Sequence, residues 1–251
     1  MVTKAEIKMV RSLADKQGRN THGLFVAEGE KIIRELHASH LRLRRVYALD
    51  GVLEDLGDDV CRVTAAEMER LTMLKTANNS LATVEIPHYG FDMRTAEKSL
   101  VLALDDVSNP GNMGTLIRLA DWFGIGDVVC SQGAADCFNP KVVQATMGAI
   151  IRVRVHYCDL PKMLREARER GMEVCGTFLD GENIYTSELP SSGFVVMGNE
   201  GRGISEACAA AVSRRLHIPA YPAGRSGSES LNVGAAAAVV CSEFRRRMLQ
   251  R

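Results

Sequence analysis

The sequence predicts an α/β protein with two domains, the larger of which is built on a parallel, doubly wound sheet. Its length of 251 residues exceeds the usual size of one domain but is short for three. From residue 100 onward, short apolar segments alternate regularly with helical patterns, as they do in proteins with parallel sheets. Residues 87–99 mix proline, glycine and charge without sustained periodicity, which indicates a linker. We therefore expect a smaller domain with its linker at 1–95 and the larger domain at 96–251.

Residues 1–90 predict a small α/β unit. Ile7, Val10 and Leu13 recur at helical spacing and indicate a first helix. Short apolar runs predict strands, and apolar residues spaced three and four apart predict further helices. The expected strands cover 24–27, 46–49, 60–63 and 81–86, and the expected helices cover 28–39 and 65–74. Strands that alternate with helices imply a sheet with helices layered on it.

The same signals are more regular in the second part of the chain. The expected strands cover 100–104, 127–130, 152–156, 173–178, 194–197 and 216–218. The expected helices cover 113–123, 141–147, 160–170, 205–212 and the stretch from about Glu229 to the end. Parallel sheets of this kind bind ligands beyond the carboxyl ends of their strands. We therefore expect the functional site in the loops that follow the strands.

Composition limits the class of protein. Hydrophobic residues make up 46% of the chain and charged residues 25%, which is the balance of a chain that folds. The longest run of small apolar residues, 235–241, is too short to cross a bilayer, and residues 1–11 lack the apolar core of a signal peptide. These features predict a cytoplasmic protein without a membrane segment.

The cysteines and histidines predict neither a disulfide framework nor a metal site. The seven cysteines are odd in number and widely spaced, without a CxxC pair, so we expect reduced thiols. The six histidines form no HExxH motif, and the pair His37 and His40 is typical of a solvated helix face. We therefore expect no bound metal ion.

Charge is balanced overall but uneven along the chain. Lys+Arg and Asp+Glu both number 31, whereas nucleic-acid-binding proteins are usually basic. Residues 1–50 nevertheless hold ten basic against six acidic residues, and residues 51–60 hold four acidic residues and no basic ones. A local basic face and an ordinary solvated surface both remain open on charge alone.

Three glycine-rich segments lie where strands end and helices begin. They are VSNPGNMGTLIRLADWFGI (107–125), VMGNEGRGIS (196–205) and IPAYPAGRSGSESLNVGAAAA (218–238). Each combines glycines, which let a ligand approach the backbone, with polar side chains and a helix start. Their spacing fits neither the dinucleotide motif G-x-G-x-x-G nor the phosphate-binding motif G-x-x-x-x-G-K-[ST]. Each alone is typical of an ordinary strand-to-helix turn, but together they predict one pocket.

In these segments the sequence resembles the SpoU (TrmH-type) branch of the SPOUT RNA methyltransferases, whose three motifs occur in the same order and spacing. The first motif carries Asn112 and Arg118, the second carries Glu200, and the third carries Ser230 and Asn232. FVAEGEKIIREL (25–36) is similar to the small amino-terminal α/β substrate-binding domain of the same family, a module related to ribosomal RNA-binding proteins. The resemblance therefore extends over the whole chain.

The resemblance implies an S-adenosylmethionine-dependent enzyme that methylates a ribose 2′-hydroxyl of RNA. Ribosomal RNA is preferred over transfer RNA as its substrate because of the ribosomal-like amino-terminal module. The residues implied to hold the cofactor, largely through backbone groups, are Gly198, Gly201, Ile218 and Leu231. The residues implied to face the reacting ribose are Asn112, Arg118, Glu200, Ser230 and Asn232. A homodimer is also implied, with a deep trefoil knot near the carboxyl terminus of the larger domain, although general topology rules disfavour knots.

The chemical role of Arg118 stays open between alternatives. The family account makes it the general base, but a guanidinium has a pKa above about 12 and is normally protonated. It would therefore stabilise the developing alkoxide or a neighbouring phosphate, while Glu200 anchors it or accepts the proton itself. Structural interpretations compete with these roles: Arg118 as a surface arginine with a buried stem, and Asn112, Ser230 and Asn232 as helix caps.

Two residues depart from the family pattern. Gln144, within NPKVVQATMGAIIRVRV (139–155), stands where an arginine is common, which weakens the expected RNA contact there. Gly234 stands where a serine is common. Because glycine costs about 1 kcal/mol in a helix, we expect Gly234 to allow close packing of the last helix.

Two other functions compete with this prediction. A non-catalytic RNA-binding or ribosome-associated protein would use the basic first part and keep only a vestigial pocket, but the presence of Arg118, Glu200 and Asn232 argues against it. A nucleotide-dependent oxidoreductase would use the doubly wound sheet, but the dinucleotide motif that it needs is missing.

Overall fold

The computed structural model describes residues 2–222 and 230–249. Its helices are α1 (Lys4–Ser12), α2 (Lys16–His22), α3 (Glu30–His37), α4 (Ala65–Leu71), α5 (Arg94–Lys98), α6 (Pro110–Trp122), α7 (Pro140–Thr146), α8 (Leu160–Glu169), α9 (Glu206–Ala209) and α10 (Val233–Leu249). Its strands are β1 (Leu24–Glu28), β2 (Leu43–Ala48), β3 (Val60–Arg62), β4 (Ser80–Glu85), β5 (Leu100–Leu104), β6 (Asp127–Ser131), β7 (Arg154–Cys158), β8 (Val174–Asn183), β9 (Gly193–Met197) and β10 (Arg214–His217). Short 3₁₀ helices cover Glu54–Asp59 and Ala149–Ile151.

The chain divides into two compact units. The first unit comprises residues 1–88 and 136–151, and the second unit comprises residues 89–135 and 152–251. A stretch that follows β6 in sequence therefore belongs to the unit formed mainly by the first 88 residues.

A mixed sheet forms the centre of the first unit, with the described strands in the order β1-β4-β2-β3. β4 pairs antiparallel with both β1 and β2, whereas β2 pairs parallel with β3. α1 and α4 each begin with a threonine and a glutamate that satisfy each other's backbone N–H groups, so both helices start at fixed points. Their apolar faces join the sheet in one core, which includes Val10, Leu13, Val26, Tyr47, Met68 and Leu81.

A buried ion pair ties residues 136–151 to the rest of the first unit. Arg19 is 2% exposed and donates to Oδ2 of Asp136 from Nε at 3.1 Å and from a terminal nitrogen at 2.6 Å. The same guanidinium also donates to the backbone carbonyl oxygens of Leu13 and Ala14. A buried arginine is tolerated when its donors are satisfied in this way. α7, which follows Asp136, then packs against β1.

The second unit contains a six-stranded sheet among the described residues, in the order β10-β8-β9-β5-β6-β7, and every pair in it is parallel. Val101 and Ala103 of β5 join an apolar cluster with Leu164 of α8 on one face. Leu102 points to the other face and is equally buried, since successive side chains of a strand alternate. Helices therefore cover both faces, and the predicted parallel, doubly wound sheet is confirmed.

The expected elements differ from the observed ones mainly at their ends. β5 has the expected bounds, whereas β8 continues to Asn183 instead of ending at 178. The expected start of the last helix at Glu229 lies outside the described residues, and its described part begins at Val233. α2 was not predicted, because KQGRNTH lacks apolar periodicity and the residue that it buries is Arg19.

The described residues contain neither a membrane-spanning helix nor a cluster of metal ligands, and their cysteines form no disulfide bond. Within residues 2–222 and 230–249, no helix has both the length and the apolar character needed to cross a bilayer, and no three His, Cys, Asp or Glu side chains cluster as metal ligands would. All seven cysteines are free thiols. Burial raises the pKa of Cys175, Cys208 and Cys241 to about 12.

Candidate active site

The site begins at the carboxyl ends of β5 and β9. These two strands are adjacent and parallel, with Leu104 paired to Met197, so the loops that follow them leave the same edge of the sheet. The loop after β5 leads into α6 and carries the first glycine-rich segment. The loop after β9 carries the second.

The start of α6 is fixed by Asn109. Its Oδ1 accepts hydrogen bonds from the backbone N–H groups of Gly111 at 2.8 Å and Asn112 at 3.1 Å. Pro110 occupies the first helical position, where a missing N–H costs nothing. Asn112 is therefore not the cap of this helix, and its side chain is free for other contacts.

The Asn112 amide joins all three glycine-rich segments. Nδ2 of Asn112 donates to Oε1 of Glu200 at 2.6 Å, and Nδ2 of Asn232 donates to Oδ1 of Asn112 at 3.2 Å. Asn232 also caps α10, because its Oδ1 accepts from the backbone N–H of Gly234 at 2.9 Å. The partners lie 88 and 120 residues from Asn112 in the sequence. The structure thus brings three of the five expected ribose-facing residues into one hydrogen-bonded chain.

Glu200 lies on a tight loop that its own backbone closes. Asn199 and Gly203 exchange two backbone hydrogen bonds of 2.9 Å, and Gly203 has a φ of 70°, a conformation that favours glycine. Gly198 is buried, and a Cβ there would lie 2.2 Å from the carbonyl carbon of Gly203. Glycine at position 198 therefore allows the loop to close, with the side chain of Glu200 exposed.

Asp106, in the loop after β5, connects the loop that carries Glu200 to the end of β6. Its backbone carbonyl accepts from Nδ2 of Asn199 at 2.8 Å, and its carboxylate accepts from Arg202 at 3.1 Å and from the hydroxyl of Ser131 at 3.0 Å. Its φ is 54°, a left-handed conformation that is uncommon and strained for a residue with a side chain. Contacts from the loop after β9 and from the end of β6 stabilise this conformation, so Asp106 is a positioning residue for the loop that carries Glu200.

Arg118 lies further along α6 with an exposed side chain. It follows Asn112 by six residues, or about 9 Å along the helix axis. Among the residues that the structure describes, its guanidinium has no hydrogen-bond or ion-pair partner. Arg118 is therefore on the helix that carries Asn112 but outside the hydrogen-bonded chain of Asn112, Glu200 and Asn232.

The other expected residues border the same loops. Gly201 donates its backbone N–H to Oδ1 of Asn199 at 3.0 Å. Ile218 directly follows β10 and is half-buried, whereas Leu231 precedes α10 and is 55% exposed. Ser230 is exposed and borders residues 223–229, which lie outside the described part of the chain.

These residues fit the cofactor that the sequence implies. S-adenosylmethionine has a flat adenine ring and polar ribose and amino-acid parts, so it needs an apolar surface next to open backbone. Leu231 offers an exposed apolar side chain, and Ile218 adds a second one that is half-buried. Gly201 is exposed and has no side chain that would separate a ligand from its backbone, whereas Gly198 is buried against Gly203 and allows the loop to close.

Two family models match the chain. The model described as the SpoU rRNA Methylase family covers residues 99–242, and the model described as the MRM3-like substrate binding domain covers residues 4–82. The chain belongs to the SpoU rRNA methylase family.

Similar proteins carry matching names. A Bacillus subtilis (strain 168) protein named 23S rRNA (guanosine(2553)-2′-O)-methyltransferase is 30% identical over 245 residues, which are 96% of each chain. The structure of a TrmH-family protein from Porphyromonas gingivalis has a TM-score of 0.89 and 36% sequence identity, and the match covers 98% of this chain and 99% of that chain. The structure of an AdoMet-bound rRNA methyltransferase from Sinorhizobium meliloti has a TM-score of 0.85 and 26% sequence identity. That match covers 99% of this chain and 97% of that chain.

These comparisons confirm four predictions made from the sequence. They are the SpoU (TrmH-type) family, the parallel α/β fold with a smaller amino-terminal module, the class of RNA 2′-O-methyltransferases and S-adenosylmethionine as the cofactor. A doubly wound sheet alone would also allow an oxidoreductase, but the relatives are methyltransferases.

The sequence predicted residues of the SpoU motifs but not the residues that hold the loops of the site in place. Asn109 was missed although it precedes a proline and a helical pattern, which is a readable cap signal. Asp106 and Asn199 were missed because their roles depend on contacts between loops distant in sequence. Gly234 packs as expected: a Cβ there would lie 3.0 Å from Cγ2 of Thr115 on α6.

Proposed function

We propose that this protein transfers the methyl group of S-adenosylmethionine to a ribose 2′-hydroxyl of large-subunit ribosomal RNA. The observation that carries the proposal is the hydrogen-bonded chain of Glu200, Asn112 and Asn232, which takes one residue from each glycine-rich segment. An ordinary turn between a strand and a helix needs no such link. The Bacillus subtilis relative is named for 2′-O-methylation of 23S rRNA, which supports ribosomal over transfer RNA.

Glu200 and Arg118 handle the charges of the reaction. The ribose hydroxyl must lose its proton as its oxygen bonds to the methyl carbon, while the bond between that carbon and the cofactor sulfur breaks. Oε1 of Glu200 accepts from Asn112, which leaves Oε2 to accept the proton. The guanidinium of Arg118 stabilises the developing alkoxide or a phosphate beside it.

Asn112, Asn232 and Ser230 orient the ribose. Each asparagine uses one N–H of its side-chain amide within the hydrogen-bonded chain and keeps a second N–H for a ligand oxygen. The hydroxyl of Ser230 both donates and accepts. Because the amides are fixed by each other and by the cap of α10, they are preorganised for the ribose before it arrives.

Gly198, Gly201, Ile218 and Leu231 hold the cofactor in this proposal. S-adenosylmethionine supplies a methyl group that is activated by a positively charged sulfur. The two glycines contribute backbone groups at the loop after β9, and the two apolar side chains contribute surface for the adenine ring.

A homodimer is part of the proposal. Trp122, the single tryptophan of the chain, is 80% exposed on α6, and Leu249 is 88% exposed on α10. α6 and α10 pack together, and Nε of Arg245 near the end of α10 donates to the carbonyl oxygen of Phe123 at 2.6 Å. Exposed large apolar residues at the paired ends of two helices are typical of a protein interface, and a face of this kind can meet its own copy across a two-fold axis.

Three further features of the proposal derive from the family. Residues 1–95, which residues 136–151 join in the first unit, bind the RNA substrate, and the remainder of 96–251 forms the catalytic domain with a trefoil knot near its end. The match of an MRM3-like substrate binding domain to residues 4–82 supports the first assignment. A cytoplasmic location follows from a ribosomal RNA substrate.

The proposal is tested by binding and transfer assays on the full chain. Calorimetry with S-adenosylmethionine should give a binding isotherm, which a purely RNA-binding protein would not. Methyl-labelled cofactor should then label in vitro transcribed large-subunit ribosomal RNA, and Asn112→Ala should reduce the label much more than Asn20→Ala, an exposed asparagine of α2. Label in transfer RNA alone would reject the ribosomal substrate, and no heat of cofactor binding would reject the enzyme.

A further inference from the structure

A groove in the first unit has the chemistry of a nucleobase site. It has a volume of about 210 Å³ and lies between the start of α3 and the end of α7. Its lining includes the side chains of Lys31, Ile32, Asn78, Val143, Gln144 and Met147. We infer that this groove binds one unstacked base of the RNA substrate, an inference that rests on the proposed function and extends it to substrate recognition.

The polar groups of the groove are available to a ligand. Among the described residues, the side chains of Lys31, Asn78 and Gln144 have no hydrogen-bond or ion-pair partner. Side-chain amides donate and accept at once, so asparagine and glutamine match the edge of adenine, and lysine matches the acceptors of guanine. RNA is read in sequence mainly through such unstacked bases, whose edges are open to side chains.

The apolar wall of the groove contains an unusual residue. Met147 ends α7 with a φ of 52°, in the left-handed conformation where glycine is usual, and its side chain is 58% exposed. The strain and the exposure both oppose folding stability, so the fold itself gains little from a methionine here. A polarizable thioether beside Ile32 and Val143 does, however, give the face of a base an adaptable apolar surface.

The charges of the lining select against a phosphate. The lining includes three acidic residues, Glu28, Glu30 and Glu35, and one basic residue, Lys31. Glu28 is buried, and Glu30 also forms an ion pair with Arg34 at 3.8 Å. Glu28 accepts from the hydroxyl of Thr72, and Glu30 accepts from Nδ2 of Asn79, so these carboxylates are held in place. The excess of acidic over basic residues in the lining favours a neutral base with amino groups over an anion. The occupant is therefore a base, with its phosphates left outside.

The first test removes the two side-chain amides of the groove. Asn78→Ala combined with Gln144→Ala should raise the KM for in vitro transcribed large-subunit ribosomal RNA by about tenfold or more, because two edge contacts are lost. The turnover rate at saturating RNA and the affinity for S-adenosylmethionine should not change. The matched control is Gln17→Ala combined with Asn20→Ala, two exposed amides of α2 outside the groove. An equal rise of KM in control and test variants would overturn the inference.

The second test separates recognition from folding. Met147→Gly relieves the left-handed strain, so the unfolding temperature should stay the same or rise, while the KM for the same RNA should rise several-fold. A residue with only a structural role would not weaken RNA binding while the protein becomes more stable. An unchanged KM in this variant and in the double variant would overturn the inference while leaving the methyltransferase activity intact.

Filter binding of the same RNA gives a readout that does not depend on methyl transfer. If the wild-type protein binds RNA but transfers no methyl group, the proposed function fails, and weaker RNA binding by the groove variants than by the control still supports the groove. If all the proteins bind RNA equally, the groove inference fails whatever the activity.

Discussion

Arg118 has an exposed guanidinium that no described residue neutralises, on the same helix as Asn112. A charge of this kind acts mainly in the transition state, so Arg118→Ala should lower the turnover rate by about 10²–10³ and leave the affinity for S-adenosylmethionine nearly unchanged. Arg118→Lys should recover only part of the rate, because a point charge does not copy the guanidinium fork. Single-turnover rates at saturating RNA and cofactor, with calorimetry for the cofactor, measure both effects.

Arg165→Ala is the matched control for this prediction, since Arg165 is an exposed arginine on α8 in the same unit. It should keep the wild-type rate. Normal turnover by Arg118→Ala would return Arg118 to the role of a surface arginine and leave Glu200 as the only charged residue of the proposed mechanism.

The individual site residues show what a sequence can and cannot predict. Asn112, Glu200 and Asn232 were predicted from their motifs, and their hydrogen bonds across 88 and 120 residues agree with one pocket. The roles of Asp106 and Arg202 were not predicted, because a left-handed aspartate and its ion pair depend on contacts between segments that are distant in sequence. Motifs therefore predict the members of this hydrogen-bonded chain better than the residues that hold the loops in place.

At the scale of single elements, β6 and β7 are joined by a buried carboxylate. Asp127 is 4% exposed and accepts from Nε of Arg154 at 2.8 Å and from Nε2 of His156 at 2.8 Å. Burial raises the pKa of Asp127, but the hydrogen bonds from Arg154 and His156 together outweigh burial and lower it to about 2. The carboxylate is thus held charged between two strands at one end of the sheet.

The pH dependence of stability follows from this shift. Because the pKa of Asp127 is lower in the folded than in the unfolded chain, its contribution is present above about pH 4 and is lost as the pH falls towards 2. Asp127→Asn should lower the free energy of unfolding by about 2 kcal/mol at pH 7 and flatten its decline in that acid range. Urea unfolding at several pH values is the measurement.

The control for that prediction is Asp121→Asn, which breaks the more exposed pair of Asp121 with Arg152. Partly exposed ion pairs contribute about 1 kcal/mol or less, so this variant should be the milder one at every pH. An equal loss in the two variants, or an unchanged acid decline in Asp127→Asn, would contradict the account of the buried carboxylate.

The elements themselves were predictable where their patterns were strong. β5 was predicted at its observed bounds because LVLAL is a continuous apolar run, as expected for a strand buried on both faces. α2 was missed because its buried residue is an arginine that packs through hydrogen bonds. The continuation of β8 to Asn183 was missed because residues 179–182 are exposed and show no apolar run.

For the whole molecule, the grouping of residues 136–151 with the first unit has a practical consequence. Deleting residues 1–88 would remove Arg19 and leave Asp136 without its buried partner, while α7 would lose the strand on which it packs. A truncated chain would therefore be destabilised for reasons unrelated to RNA. No sequence pattern predicted this grouping, because it depends on contacts over 117 residues.

Charge substitutions test the RNA-binding role of the first unit without that disturbance. Lys4 and Lys8 are exposed and lie on one face of α1. Lys4→Ala combined with Lys8→Ala should weaken RNA binding and reduce the slope of its salt dependence by up to about 2, with no effect on cofactor affinity. Lys162→Ala combined with Arg165→Ala on α8 is the matched control. An unchanged salt slope in the α1 variant would place the RNA-binding charges elsewhere.

The proposed homodimer is also a property of the whole molecule. Sedimentation equilibrium at micromolar protein should give twice the chain mass of 27.4 kDa. Trp122→Glu should shift the mass towards the monomer, whereas Leu179→Glu, which changes a side chain 73% exposed on β8, should not. A monomeric wild-type protein would contradict the dimer, and a dimeric Trp122→Glu would contradict its location on α6 and α10.

The proposed reaction is the transfer of a methyl group to a ribose 2′-hydroxyl of large-subunit ribosomal RNA. The most direct test maps 2′-O-methylated nucleotides in ribosomal RNA from cells with and without the gene, and then incubates the unmodified RNA with the purified protein and S-adenosylmethionine. We expect one 2′-O-methyl nucleotide to disappear without the gene and to return at the same position with the wild-type protein but not with Asn112→Ala. An unchanged map, or a returning methyl group on a base instead of a ribose, would contradict the account.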